Sequence, residues 1–195
     1  MRVKTENRRQ AIIEVALEVF RELGFERASM SLISRRLGGS KGTLYGYFRS
    51  KEELFEAAII AGTQGPGDQI MGILDPKADD LVLVMNRFAK AYLKFILGKE
   101  ALAITRTAIA EASSSALGRH LFEDGPGRAL DKMTAFFTEM IARGKLRDAS
   151  PRTMAIHFKA LVEAGFLEES LFGASIPPLK ASAEAVDAFL RIYKP

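Results

Sequence analysis

Apolar residues recur at three- and four-residue spacing along nearly the whole chain, and no stretch alternates polar with apolar as a half-buried strand would. From Arg8 to Leu23 the positions Ile12, Ile13, Ala16, Val19, Phe20 and Leu23 form one stripe, and Gly24 follows as a stop signal. The pattern predicts an amphipathic first helix there. A short second helix starts at Ser29, whose hydroxyl can cap the free amides of the next turn, and ends in Gly38-Gly39. Ser40 caps a third helix running to about Phe48, and Ser50 caps a fourth that opens with the acidic pair Glu52 and Glu53. Gly65-Pro66-Gly67 is expected to interrupt that fourth helix and, with Asp75-Pro76, to act as a hinge. Beyond it the periodicity predicts helices at about 78–97, 99–113, 115–122, 127–144, 151–173 and 180–193, separated by glycine and proline.

Composition narrows the possibilities. A chain of 195 residues with 48% hydrophobic content can bury a sizeable core without covalent staples. It has no cysteine and two distant histidines, His120 and His157, so disulfides and thiolate metal sites are ruled out, and neither a metal nor a cofactor is expected. The first ten residues are polar where a signal peptide needs an apolar core, and no run of about 18 apolar residues could span a membrane. The chain reads as soluble and cytoplasmic.

Net charge is +4, but it is unevenly distributed. Residues 1–51 carry 11 Lys and Arg against 5 Glu, whereas the remainder carries 17 basic and 19 acidic residues. A basic end on a mildly acidic body is the footprint of a segment that meets a polyanion; uneven scatter of surface lysine and arginine is the plainer account.

The stretch 38-GGSKGTLYGYF-48 decides what kind of polyanion site is available. A phosphate-binding loop needs glycine directly before its lysine, whereas Lys41 follows Ser40, and no strand precedes it. What remains is a short helix, a glycine turn and a second short helix packed on a longer one, the arrangement of a helix-turn-helix. Lys41, Gly42 and Thr43 would then stand at the tip facing base edges, Leu44 and Phe48 would face inward, and Tyr45, Tyr47 and Lys51 would reach phosphate oxygens. The competing account makes the aromatic residues ordinary core and Lys41 a solvated charge. Arg2, Lys4, Arg8 and Arg9 form a basic arm that can follow the DNA backbone or enter a minor groove, while Arg35 and Arg36 fit either DNA contacts or a solvated face.

The segment from Arg8 to Leu54, with Ala16, Phe20, Gly24-Phe25, Ser29, Ile33, Gly38, Ser40-Lys41-Gly42-Thr43-Leu44-Tyr45, Tyr47-Phe48, Ser50-Lys51-Glu52 and Leu54, resembles the DNA-binding domain of the TetR/AcrR family of transcriptional regulators. The resemblance implies an all-α fold: a three-helix DNA-binding head at 1–54, then a helical bundle at 55–195 for ligand binding and dimerisation. It also implies a homodimer on a double-stranded, near-palindromic operator, repression relieved by a small apolar ligand, and DNA contacts from Ser29, Ser40, Lys41, Gly42, Thr43, Tyr45, Tyr47 and Lys51. The chain departs from the family in having Leu37 and Gly39 around Gly38, so the turn loses an apolar plug and gains backbone freedom.

Three later runs, RTAIAEASSSALGRHLFEDGPGRAL, RGKLRD and FKALVEAGFLEESLFG, are similar to AefR-like C-terminal domains of that family. That similarity implies a ligand cavity, for which Phe88, Tyr92, Phe95, Arg106, Met133, Phe136, Phe137 and Met140 are the candidates, with Met85, Ile104 and His157 beside them; plain core is the competing role for each apolar one. In 154-MAIHFKALVEAGFLEESLF-172 apolar residues nearly encircle the axis, which calls for cover from two sides. Phe158, Leu161, Val162, Phe166 and Phe189 are accordingly expected at a dimer interface, with Ala160, Ala164 and Gly165 allowing close approach. No nucleophile elbow, catalytic histidine pattern or di-iron carboxylate set is present, so an enzyme is not expected. The alternative function is a DNA-binding protein of the same kind with no small-molecule inducer, acting as an activator or a protein-responsive scaffold.

Overall fold

A computed structural model describes residues 5–113, 115–174 and 181–195 of the chain. The described residues are mostly helical, in two compact units: those of 5–65 with 106–122, and those of 66–105 with 123–195. None of their helices is long and apolar enough to cross a membrane.

The first unit grows from its caps. Helix α1 (Glu6–Arg27) starts at Thr5, whose Oγ1 accepts from the Arg8 amide, and it buries Ile12, Ile13, Ala16, Val19 and Phe20 along one stripe. Gly24 breaks it at φ 76°, and Gly38 ends α2 (Met30–Arg36) at φ 66°, a region that side chains with a Cβ avoid. The kink at Gly24 turns Phe25 back inward, where Phe20, Phe25 and Phe55 pack with ring centroids 4.9 to 6.3 Å apart. Ser29 caps α2 by accepting from the Leu32 amide at 3.2 Å. Ser40 caps α3 (Lys41–Tyr47) in the same way through Thr43. At the start of α4 (Lys51–Met71) Ser50 Oγ accepts from the Glu53 amide, and the Glu53 carboxylate accepts from the Arg49 amide at 2.6 Å.

Two predicted interruptions differ from what is observed. Helix α4 runs unbroken through Gly65-Pro66-Gly67, because its far end is held: Arg128 and Lys132 bind Asp68, and Ile70 and Met71 pack on the second unit's core. These contacts offset the one backbone hydrogen bond that Pro66 removes. The 1–54 and 55–195 division does not coincide with the units either. Phe55, Ala58 and Ile59 are buried in the same helix as Leu54, and the first unit also takes in the later part of α6 (Lys99–Glu111) and α7 (Leu117–Phe122). Within it, α7 lies so close on α6 that a Cβ on Gly118 would come within 2.4 Å of the Ala108 carbonyl oxygen, and His120 Nδ1 sits 3.0 Å from Glu56.

The second unit is built on α5 (Leu81–Ile96), α8 (Arg128–Ala142), α9 (Pro151–Glu163) and α11 (Ala181–Tyr193). Phe88, Phe137, Phe158 and Phe189, all fully buried, contact one another through ring pairs 5.0 to 6.1 Å apart. Residues Glu123–Gly127, expected as a breaking loop, form a π-helical turn leading into α8. The single helix expected over 151–173 is two: α9 ends at Ala164-Gly165, with Gly165 at φ 73°, and α10 (Leu167–Leu171) begins after Phe166. The apparent encirclement was two helices read as one.

Truncating Phe137 leaves a void lined by Phe136, Phe158 and Phe189, its ring neighbours. Phe137→Ala is expected to lower stability by about 3–5 kcal/mol in urea unfolding followed by far-UV circular dichroism.

Candidate nucleic-acid interface

Helix α3 is two-faced. Leu44 and Phe48 are buried, which leaves Lys41, Gly42, Tyr45 and Gly46 exposed on the opposite side, with Thr43 and Tyr47 half-buried between. Tyr45 is 46% exposed, and the Lys41 ammonium lies 6.0 Å from its ring centre. The arrangement offers cationic, hydroxyl and bare backbone groups together, which is what base edges and phosphates in a major groove require.

Several expected contact residues serve the fold first. The Ser29 and Ser40 hydroxyls are helix caps, and Ser40 Oγ also lies 2.9 Å from Thr43 Oγ1. Tyr47 Oη accepts from the Thr5 amide at 3.1 Å. Lys51 is turned toward the end of α1: its Nζ donates to the Phe25 carbonyl at 3.1 Å and lies 4.0 Å from that ring's centre. One of its three donors is thereby committed within the chain, in competition with the expected phosphate contact.

The two arginines at the end of α2 separate. Arg36 binds Glu22 at 2.6 Å, and that hydrogen bond holds the Glu22 carboxyl below the usual range. Arg35 is exposed. Arg2 and Lys4 of the basic arm lie outside the described residues. Arg8 and Arg9 pack on the fold, Arg8 with its guanidinium beside Gly39 and Arg9 5.2 Å from the Phe48 ring centre. Gly39 itself does not use glycine's freedom: its φ is not positive, and Ser34 holds it through Gly39 N–H to Ser34 carbonyl at 3.2 Å and Ser34 Oγ–H to Gly39 carbonyl at 2.9 Å. Thr5 and Ser34 were missed by the sequence reading. Thr5, three residues before Arg8 at the start of a helix stripe, carried a capping signal; Ser34, a lone hydroxyl inside an apolar stripe, carried none.

In the second unit the candidate cavity residues Phe88, Tyr92, Met133, Phe136, Phe137 and Met140 are buried in one contiguous core, in contact with each other, and Phe95 is half-buried. Tyr92 donates to Glu163 at 2.6 Å, and burial pushes its phenol well above the ordinary value, aided by the Glu163 charge. Arg106 belongs to the other unit. A surface cleft of about 440 Å³ instead lies against α5 and α11, lined by Val82, Asn86, Val186, Asp187, Arg191 and Lys194 among others.

The expected dimer residues also need correcting. Phe158, Val162, Phe166 and Phe189 are buried within their own unit. Of the five, Leu161 alone is half-exposed. The large apolar side chains exposed on α9 and α11 are Ile156 and Ile192, each 47% exposed.

Residues 12–58 match the model of bacterial regulatory proteins of the tetR family, and residues 83–195, more than half of the chain, match that of the AefR-like transcriptional repressor C-terminal domain. The chain belongs to the TetR family of transcriptional regulators. As in other TetR-family members, the helix-turn-helix is the DNA-binding part. The HTH-type transcriptional regulator BetI of Proteus mirabilis is 44% identical over 52 residues, 27% of this chain and 26% of BetI, so the likeness spans about a quarter of that relative. A TetR-family crystal structure from Mesorhizobium loti MAFF303099 covers all of both chains at a TM-score of 0.89 and 24% identity, which shows the fold. The flavonoid-responsive regulator FrrA is 28% identical with a TM-score of 0.75, covering 98% of this chain and 99% of its own.

Removing the Ser40 hydroxyl leaves the first amides of α3 without a cap. Ser40→Ala is expected to lower stability by about 1 kcal/mol, measured by thermal unfolding of the purified protein.

Proposed function

We propose that the chain is a homodimeric repressor whose two α3 helices enter successive major grooves of a near-palindromic operator, and that a small apolar ligand releases it. The observation that carries the reading is the split of α3, with Leu44 and Phe48 buried and Lys41, Gly42 and Tyr45 exposed opposite them. A dimer would place its heads about 34 Å apart or a multiple of that, so the operator half-sites would share that spacing. Lys41, Tyr45 and Tyr47 are the proposed backbone contacts and Thr43 the proposed base reader, with Ser29, Ser40 and Gly42 lining the approach.

Ligand response is supported by the name of FrrA, a flavonoid-responsive regulator, and by the methionine-rich core. Met133 and Met140 lie among Phe88, Phe136 and Phe137, and methionine repacks around a guest more readily than branched side chains do. A ligand binding there would loosen DNA only as far as it prefers one of the two arrangements of the protein. For the dimer, Ile156 and Ala160 lie four residues apart on the exposed side of α9, and the exposed Ala164 caps its end; small side chains there permit close helix approach, and Leu161 and Ile192 would flank them.

Selection from a randomised duplex library, followed by mobility shifts across a salt series, tests the DNA reading; failure to retard any duplex at low salt rejects it. Lys41→Ala is expected to weaken selected and random duplexes alike and to reduce the salt slope by about one, whereas Thr43→Ala is expected to change the recovered sequence. Ile156→Glu buries a charge in the proposed interface and is expected to yield a monomer in sedimentation velocity, with the helical content of the parent retained.

A further inference from the structure

The first turn of α1 touches both ends of α3. At the far end, the Thr5 amide donates to Tyr47 Oη and the Arg9 guanidinium lies over Phe48. At the near end, Gly39 has no side chain, and Arg8 Nη2 occupies the space that one would fill, 2.9 Å from an ideal Cβ position; Leu37 Cδ2 is the other neighbour, at 3.8 Å. The backbone of Gly39 is pinned by Ser34, a buried residue of α2. Gly39 directly precedes Ser40, the cap of α3, so whatever presses on it presses on the start of the recognition helix.

We propose that Arg8 is a positioning residue: by packing its guanidinium into the notch over Gly39, it sets the pitch of α3 and so the DNA sequence the protein prefers. A helix of seven residues moves as one body. Loss of a wedge at one end, with Tyr47 and Phe48 held at the other, tilts it and shifts Thr43 relative to a base edge. Hydrogen bonds to base edges tolerate little displacement, whereas phosphate contacts through long flexible side chains follow. The planar, weakly hydrated guanidinium suits this packing, and a lysine ammonium does not.

The inference rests on the DNA-binding reading, and Gly39→Ala separates it from a merely structural role. The φ of Gly39 admits alanine, and the atom in the way is the tip of a flexible side chain, so the fold tolerates the change while Arg8 is displaced. The measurement is the ratio of affinities for a duplex selected by the parent protein and a random duplex, with the thermal midpoint beside it. Arg8→Ala, Arg8→Lys and Gly39→Ala are each expected to lower that ratio about fivefold, and Arg8→Ala with Gly39→Ala no further, since both remove one contact. The midpoint of Gly39→Ala is expected at or above the parent's. An unchanged ratio, or losses that multiply in the double variant, overturns the proposal. So does an equal weakening on both duplexes with a salt slope reduced by about one, which makes Arg8 a phosphate contact. A parent protein that enriches no sequence defeats the DNA reading and this inference with it; a parent that enriches one, with variants that keep it, defeats the inference alone.

Discussion

A helix of seven residues makes too few internal hydrogen bonds to offset the entropy of nucleating it, so α3 persists only because Leu44 and Phe48 are buried and Ser40 caps its start. The rest of the first unit follows from that constraint. Burying those two side chains requires a surface from the rest of the unit, in which α3 packs on α2 and α2 on α1. Covering that surface requires Phe25 to fold back, hence the break at Gly24, and Phe55 to close over it from α4. The polar face of α3 is left outside as the remainder of this arrangement.

The second unit solves a different problem with similar means. Four phenylalanines meet at its centre, and the buried phenol of Tyr92 finds Glu163, itself paired with Lys159 at 2.7 Å, so the polar group brought inside is satisfied. Asp68 joins α4 to α8 through Arg128 and Lys132, but these side chains are partly exposed and their pairing is worth little beyond fixing the geometry.

The head was legible because its signals are local. Capping serines at 29, 40 and 50 and the glycines at 24 and 38 act within one turn of their own position, and each does in space what its place in the chain foretold. The body was less legible because its outcome depends on distant partners. Pro66 reads as a break, yet its helix continues to Ile70 and Met71, which pack on a core built from residues far along the chain. Gly165 lies hidden inside an apolar run that outweighs it, and periodicity over that run does not show that Phe158, Val162 and Phe166 are buried within their own unit. Apolar periodicity says that a residue is buried; it does not say against what. The same limit hides the hydrogen bond from Lys51 to the Phe25 carbonyl, which engages one of that ammonium's three donors.

The tight crossing at Gly118 bears on how the protein can be dissected. Leu117 and Leu121 are buried in a compact unit whose other members come from the first third of the chain, and Glu56 meets His120 there. That unit is discontinuous in sequence. A fragment cut after Gly65 would carry every residue of the helix-turn-helix and still be missing two of the helical pieces grouped with it.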